Sequence, residues 1–243
     1  MALILNIDTS QDTACVSLAL DGEVITAATN ESQKDHAAWI HGAVEKIFAQ
    51  AEHPINEMAA VGLSNGPGSY TGLRIGLATA KGLCYALKIP LITVGTLEVM
   101  ARNALEALGQ FGKNGSEPEF GDGLICPMID ARRMEVFTAV YDNQLNEIEK
   151  PQALVLTPAS FDHLVGRQKI LFLGNGSEKF RQVCQNLDNA IFRNFPLNPS
   201  ALSMITYRNF IGNNFAALAY TEPLYLKEAY TVKKADGQAG PRN

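Results

Sequence analysis

Two stretches of the chain repeat the same order of apolar runs and turn residues. In the first, an apolar run ends in Ile7-Asp8, and a second run is followed by Asp21-Gly22. In the other, an apolar run ends in Ile129-Asp130, and a second run is followed by Asp142-Asn143. Such dipeptides favour tight turns between antiparallel strands, so each stretch predicts a strand–turn–strand unit. The repetition indicates a duplicated architecture.

Hydrophobic periodicity extends this repetition over most of the chain. Both halves have the predicted order strand, strand, strand, helix, strand, helix, strand, helix. In the first half the predicted strands are 3–7, 14–20, 23–29, 60–64 and 91–94, and the predicted helices are 35–51, 71–87 and 96–108. In the second half the predicted strands are 124–129, 135–141, 147–155, 170–174 and 190–195, and the predicted helices are 158–165, 178–187 and 199–217. The pattern predicts two α/β lobes around a cleft, with residues 1–108 and 109–227 as the lobes and 228–243 as a flexible tail.

Composition excludes several classes of protein. Of 243 residues, 47% are hydrophobic and 19% are charged, which is incompatible with disorder as the main state. The net charge of -5 argues against a large phosphate-binding surface on this chain. Four well-separated cysteines without a CxxC pair favour reduced thiols over disulfides or zinc. With no basic leader and no apolar run of about 18 residues, we expect a soluble, cytoplasmic protein.

Six of the 20 glycines lie between positions 62 and 82. The loop Asn65-Gly66-Pro67-Gly68-Ser69 could be a structural turn, or it could bind an anion through backbone N–H groups at a helix N-terminus. It has neither the lysine of a Walker A loop nor the GxGxxG spacing of a dinucleotide fingerprint. Both interpretations stay open at this stage.

Within the following helix, Gly72, Gly76 and Ala80 recur every four residues and form a stripe of small side chains. Glycine inside a helix costs up to about 1 kcal/mol relative to alanine, so the stripe needs an explanation. Another element must approach the helix closely, either from the same lobe or from a partner chain.

Polar residues at equivalent strand ends flank the expected cleft. Asp8-Thr9-Ser10 and Asp130-Ala131-Arg132 could hold a metal–nucleotide complex or could simply cap turns. The turn from Gly174 to Gly176 would be a minimal adenosine site. No metal centre is expected, because the sequence has no HExxH motif and His36 and His41 lie on different sides of a helix. Trp39 is either a core residue or an aromatic anchor at an interface.

Several motifs carry a resemblance to a known family. The resemblance is to the bacterial TsaB (YeaZ) family, and it is carried by the segments 7–10, 66–76, 80–83, 94–98, 130–132 and 223–226. This is a glycoprotease-like family of the actin-like ATPase superfamily, and the resemblance covers residues 3–227. It implies a duplicated actin-like (ASKHA, ribonuclease H-like) α/β fold, with two lobes that each have a mixed β-sheet flanked by helices.

The resemblance also implies that catalysis is absent from this chain. The related catalytic family, TsaD, transfers threonylcarbamoyl to the adenosine beside the anticodon and carries a metal-binding His-x-Glu-Gly-His motif. Here that place reads Thr96-Leu97-Glu98-Val99-Met100, so both histidines are missing. The implied role is a non-catalytic scaffold subunit, not a protease. It would need no cofactor itself, although ATP or ADP with magnesium would act at the level of the complex.

The implied partners are TsaD, in a heterodimer, and the ATPase TsaE. Alone, the chain would form a homodimer. It would meet tRNA only indirectly, through the complex, and it would have no membrane role. The resemblance places the partner interface on the first two helices. The implied interface residues are His36, Trp39, Ile40, Ala43, Thr71, Gly72, Arg74, Ile75, Gly76, Thr79 and Ala80. The alternative is an ATPase- or kinase-like enzyme whose nucleotide site in the cleft comprises Asp8, Thr9, Ser10, Asp130, Arg132, Gly174 and Gly176.

Overall fold

The computed structural model describes residues 1–32, 35–109, 121–185 and 188–227. The predicted tail at 228–243 and most of the predicted connecting loop at 109–123 lie outside these residues. Within the described ranges, no helix is both long enough and apolar enough to cross a membrane.

The first half of the chain forms a five-stranded mixed sheet. Its strands are β1 (Leu3–Asp8), β2 (Ala14–Leu20), β3 (Glu23–Asn30), β4 (Met58–Ser64) and β5 (Leu91–Val94). They lie in the order β3-β2-β1-β4-β5, with β1 antiparallel to β2 and parallel to β4. The helices of this half are α1 (His36–Ala51), α2 (Tyr70–Leu87) and α3 (Thr96–Ala107), with a short 3-10 helix at Ile55–Glu57.

The second half repeats this topology. Its strands are β6 (Leu124–Asp130), β7 (Glu135–Tyr141), β8 (Glu147–Val155), β9 (Ile170–Leu173) and β10 (Ala190–Phe192). The order β10-β9-β6-β7-β8 matches the first sheet strand for strand, with β6 in the place of β1. The predicted duplicated α/β fold with two mixed sheets is therefore confirmed.

The helices of the second half are shorter than predicted. They are α4 (Asp162–Val165), α5 (Ser177–Val183) and α6 (Pro199–Ile211). Helix α6 ends six residues before the predicted end at 217, because Gly212 and Asn213 follow it and Asn213 has a left-handed φ of 54°. Glycine and asparagine commonly end helices in this way. The predicted end of α5 at 187 lies outside the described residues.

Alternate residues of β1 face two different layers of helices. Leu5 and Ile7 pack with Ile40 of α1 and Leu77 of α2, whereas Ile4 packs with residues of α6. Helix α3 packs instead on the second sheet, where its Leu97 and Ala101 share a core with Ile125 of β6 and Leu171 of β9. Helices α3 and α6 contact each other between the two sheets.

This packing corrects the predicted division into lobes. Residues 199–211 belong to the C-terminal lobe by sequence, yet α6 lies on the N-terminal sheet. Its Ala201 and Ile205 join a core with Ala60 and Ile92. Residues 212–227, which we call the C-terminal strap, continue over the same lobe. The strap begins to pair where the Ala216 N–H donates to the Leu91 carbonyl at 2.8 Å.

Candidate functional site

The glycine-rich loop is packed against its own lobe. The Ser69 N–H donates to the Ser10 carbonyl at 2.7 Å, and a Cβ added to Gly68 would lie 2.2 Å from that same oxygen. On the other side, the Leu224 N–H of the strap donates to the Asn65 carbonyl at 2.8 Å. Of the two open interpretations, the geometry favours a structural turn that seats α2 on the β1–β2 hairpin.

The small-residue stripe of α2 also faces inward. A Cβ added to Gly72 would lie 2.0 Å from the Thr9 carbonyl oxygen, and one added to Gly76 would lie 2.4 Å from the Thr9 hydroxyl. The Thr9 hydroxyl donates to the Gly72 carbonyl at 2.7 Å, and Ala80 is fully buried. The close neighbour is therefore a strand end of the same lobe, which corrects the expectation that Gly72, Gly76 and Ala80 meet a partner.

Three implied interface residues of α1 are likewise buried within the lobe. His36, Ile40 and Ala43 each expose 5% or less of their surface, so they stabilise the fold beneath the outer face. The His36 Nδ1 lies 3.3 Å from the Asn30 side-chain amide. The remaining implied residues reach the surface: Thr71 and Arg74 are exposed, and Trp39, Ile75 and Thr79 are half-buried.

Arg74 joins α2 to the strap. Its Nε donates to the Tyr225 hydroxyl at 3.0 Å, and its guanidinium lies 4.1 Å from the centre of the Tyr70 ring. The rings of Tyr70 and Tyr225 are 5.2 Å apart. The Lys81 ammonium donates to the Ala219 carbonyl at 3.3 Å. The strap thus runs along one edge of the outer face of α2, a contact that no local sequence pattern indicated.

Between α1 and α2 the surface forms an open groove of about 320 Å³. Its lining combines buried core residues with exposed side chains of both helices. The lining residues are His41, Val44, Glu45, Phe48, Ile55, Thr79 and Leu83. Of these residues, the sequence analysis assigned only Thr79 to an interface, although the helical spacing of His41, Glu45 and Phe48 was a usable signal.

Two exposed glycines, one on each of these helices, have no internal packing role. A Cβ added to Gly42 of α1 or to Gly82 of α2 would meet nothing within 4 Å. Both glycines are exposed and lie inside regular helices, where alanine would be more favourable by up to about 1 kcal/mol. They leave the backbone of each helix open to close approach from outside.

The second candidate site is the cleft between the lobes, where Asp8 is buried. Its Oδ1 accepts hydrogen bonds from the Ser10 N–H at 3.0 Å and from the Ser10 hydroxyl at 2.6 Å. Burial raises the pKa of the Asp8 carboxyl, and these hydrogen bonds only partly offset that effect. Asp8 therefore caps the turn at Ser10, and its burial disfavours the ionised form of the carboxyl.

Asp130, at the equivalent strand end, is partly exposed and charged. Burial alone would raise its pKa, but the hydrogen bond from Lys179 at 2.6 Å and the Arg132 N–H at 2.6 Å outweigh burial, so the pKa of Asp130 is lowered. Its own N–H donates to the Asn175 side chain at 2.8 Å. Asp8 and Asp130 occupy equivalent strand ends, yet their pKa values are shifted in opposite directions and Asp130 is the more exposed of the two.

The cleft has a cavity of about 290 Å³. It is lined by Asp8, Gln11, Asp12, Thr13, Val99, Met100, Asn103, Leu173, Gly174, Asn175, Asn194, Phe195, Leu197 and Asn198. Of the implied nucleotide residues, only Asp8 and Gly174 are among them. Thr9, Ser10 and Gly176 are buried behind the wall, and Asp130 and Arg132 lie beyond the rim next to Asn175. Among the described residues no lysine or arginine lines this cavity, so nucleotide phosphates would face Asp8 and Asp12 without a compensating cation.

Thr96 and Met100, which stand where the resemblance implies the metal-binding histidines of the related family, have structural partners. The Thr96 hydroxyl lies 2.9 Å from the Ser64 hydroxyl and accepts from the Gly66 N–H. Met100 is 7% exposed and packs at the cleft wall. Glu98 forms an ion pair with Arg208 of α6 at 3.1 Å. Over the described part of the chain, no three His, Cys, Asp or Glu side chains come together as a metal site.

Comparison with known proteins adds the family. A family model described as "TsaD: tRNA N6-adenosine threonylcarbamoyltransferase" matches residues 24–217. The chain is 31% identical to the TsaB protein of Bacillus subtilis (strain 168) over 187 residues, which are 76% of each chain. It is 28% identical to the TsaB protein of Escherichia coli (strain K12) over 243 residues, covering 97% of this chain and 99% of that one.

The chain belongs to the TsaB family. The expected family resemblance is thereby confirmed. A solved structure described as YeaZ from Pseudomonas aeruginosa superposes with a TM-score of 0.74 at 21% identity, covering 93% of this chain and all of that one. This likeness supports the fold.

Proposed function

We propose that this chain is a non-catalytic subunit in the synthesis of tRNA threonylcarbamoyladenosine and that it binds and supports a catalytic TsaD subunit. Family membership supports the pathway, because the relatives from Bacillus subtilis and Escherichia coli are both described as tRNA threonylcarbamoyladenosine biosynthesis proteins. The residues at the two positions where the related catalytic family has histidines support a non-catalytic role. Thr96 is bonded into the core, and Met100 packs in the cleft wall.

The observation that carries the proposal is the groove between α1 and α2. It leaves apolar surface open to solvent, including Ile55, which is 42% exposed. On the exposed faces of the two helices that form the groove, Gly42 of α1 and Gly82 of α2 leave room for a neighbouring backbone. A partner helix that packs across α1 and α2 would bury this surface and account for both glycines, since close helix packing favours small residues.

Further partners and conditions follow from this role. In the cell, TsaD would occupy the groove, and a second copy of this chain would occupy it when TsaD is absent. TsaE would join as the ATPase, so ATP or ADP with magnesium would act in the complex and not in this chain. tRNA modification would take place in the cytoplasm, and this chain would require no cofactor of its own.

A matched pair of substitutions on α2 tests the proposal. Thr79→Arg places a long charged side chain in the groove, whereas Ala78→Arg places the same side chain at an exposed neighbouring position outside it. Co-expression with TsaD followed by gel filtration should show loss of the heterodimer for Thr79→Arg and normal assembly for Ala78→Arg. Equal assembly of both folded variants would contradict the proposed interface.

The catalytic role is tested separately. Purified chain with ATP and magnesium should show no turnover, whereas tRNA modification by the reconstituted complex should require the chain. Magnesium-dependent ATP turnover by the isolated chain would instead favour the enzyme alternative based on the cleft.

A further inference from the structure

The cavity in the inter-lobe cleft has a lining that is both acidic and apolar. Its volume of about 290 Å³ is close to the lower end of the range for ligand pockets in proteins. The carboxylates of Asp8 and Asp12 line it, and no lysine or arginine of the described residues does. Arg193 lies outside the lining, with its guanidinium 5.2 Å from the centre of the Phe195 ring. The apolar part of the lining consists of Val99, Met100, Leu173, Phe195 and Leu197.

Asp8 is a buried carboxylate whose neighbours are neutral. It is 5% exposed, yet it lines the cavity. The Ser10 N–H and hydroxyl both bond to its Oδ1, which leaves Oδ2 without a short hydrogen bond from the described residues. Burial raises the pKa of Asp8, and the opposing groups on Ser10 and Ser64 carry no charge. A cation in the cavity would supply the compensating charge that a buried carboxylate needs.

The duplicated fold shows which group can pair with an aspartate at this position. Asp130 ends β6 as Asp8 ends β1, and the Lys179 ammonium group donates to the Asp130 Oδ1 at 2.6 Å. No lysine or arginine of the described residues forms an ion pair with Asp8. The same strand end is therefore paired with an ammonium group in the second half of the chain and faces a cavity in the first half.

We propose that this cavity binds a small aliphatic amine of the putrescine and spermidine class, with one ammonium group on Asp8. A second ammonium group pairs with Asp12, the exposed carboxylate of the lining, and the methylene chain lies on the apolar residues. Asn103, whose amide nitrogen is bonded to the Pro196 carbonyl, keeps its side-chain oxygen as a further acceptor. Charge-assisted bonds between ammonium and carboxylate groups are stronger in a desolvated site than in water.

Other classes of ligand match the lining less well. Magnesium and calcium take six or more oxygen ligands, whereas no three His, Cys, Asp or Glu side chains come together in the part of the chain that the structure describes. Nucleotide phosphates would face Asp8 and Asp12, and a neutral polyol would leave the charge of Asp8 uncompensated. An aliphatic amine meets both the negative charge and the apolar surface.

Titration calorimetry and thermal unfolding of the isolated full chain test the proposal. Putrescine is the probe, and butanediol is its neutral counterpart of similar length. With putrescine about 100-fold above its Kd, the melting temperature of the parent chain should rise by roughly 5–10 °C. Neither butanediol nor sodium chloride at equal ionic strength should reproduce this rise.

Three variants locate the binding site. Asp8→Asn keeps an oxygen that can accept from Ser10 but removes the charge, so the affinity for putrescine should fall about tenfold or more. Asp12→Asn changes an exposed position where folding is not at stake, and it should lower the affinity by about two- to fivefold. The matched control, Asp162→Asn, removes the same charge at an exposed position outside the lining and should bind like the parent chain.

Each shift is measured from the variant's own melting temperature without amine, because Asp8→Asn should itself stabilise the free chain. Four results would overturn the inference: no saturable binding of putrescine, an equal shift with butanediol or magnesium chloride, full affinity in either Asp8→Asn or Asp12→Asn, or an equal loss of affinity in Asp162→Asn. None of these measurements involves TsaD or tRNA, so the inference and the proposed function stand or fail separately.

Discussion

The same substitution should have opposite effects at two glycines of α2. In Gly72→Ala, the new methyl group would lie 2.0 Å from the Thr9 carbonyl oxygen. Because that oxygen belongs to the backbone, no side-chain rotation can relieve the contact. In Gly82→Ala, the methyl group would meet nothing within 4 Å.

The magnitudes follow from these two environments. Overpacking at Gly72 costs about 1–3 kcal/mol, and displacement of the Thr9 hydroxyl from the Gly72 carbonyl costs about 1 kcal/mol more. The gain in helix propensity returns up to about 1 kcal/mol, so we expect a net loss of roughly 1–3 kcal/mol. For a chain of this size, the melting temperature should fall by roughly 3–10 °C. Gly82→Ala has only the propensity gain, so its melting temperature should rise by about 1–4 °C.

Thermal and urea unfolding of the isolated chain, followed by circular dichroism, measure both changes. Leu87→Met, a volume-conserving change near the end of the same helix, serves as a control that should stay within about 1.5 kcal/mol of the parent chain. If Gly72→Ala stabilised the chain as Gly82→Ala does, α2 could not lie this close to Thr9, and the assignment of the stripe to internal packing would be refuted.

Three further changes test the cleft, the motif remnant and the thiols. Asp8→Asn should raise the melting temperature at neutral pH. Burial raises the pKa of Asp8, so the folded parent chain loses stability as the pH rises from the ordinary carboxyl pKa through the raised one. The gain from Asn should therefore vanish in acid, and a gain that grew in acid would contradict this reasoning. Glu98→Gln should lower the free energy of unfolding in urea by at most about 1 kcal/mol, because the ion pair with Arg208 is partly exposed. It should leave tRNA modification by the complex nearly unchanged, and a large loss of activity would assign Glu98 a catalytic role. Native chain at pH 8 should react with a thiol reagent at no more than one site, and unfolded chain at all four, because burial raises the pKa of three thiols. These are Cys15 at about 12, Cys84 at about 11 and Cys126 at about 12.

The duplicated fold could be predicted because its signals are local. The apolar run of β2, the turn at Asp21-Gly22 and the helical spacing of α1 are all properties of short segments, and similar signals recur in the second half. Helix ends were predicted less well. Gly212 and Asn213 are a common stop signal, but the apolar residues beyond them continue the helical pattern to 217, and that pattern determined the predicted end.

The direction of the small-residue stripe could not be obtained from sequence. A helix needs small residues wherever a backbone comes close, and Gly72 has the same local signature whether that backbone is Thr9 or a partner helix. Only the position of the β1–β2 hairpin decides between them. Gly82 belongs to the same glycine cluster in the sequence, yet in the structure a Cβ added to it would contact no other part of the chain. The strap contact between Tyr225 and Arg74 joins residues 151 positions apart, so no periodicity could reveal it.

The position of α6 has a consequence for how the protein is made. The face of the first sheet that contains Ile4, Ala60 and Ile92 is covered by residues that leave the ribosome more than 100 positions later. Until then, the nascent N-terminal half exposes an apolar sheet surface. The two repeats therefore cannot mature one after the other as independent folding units, and a chain truncated before residue 199 should aggregate during synthesis.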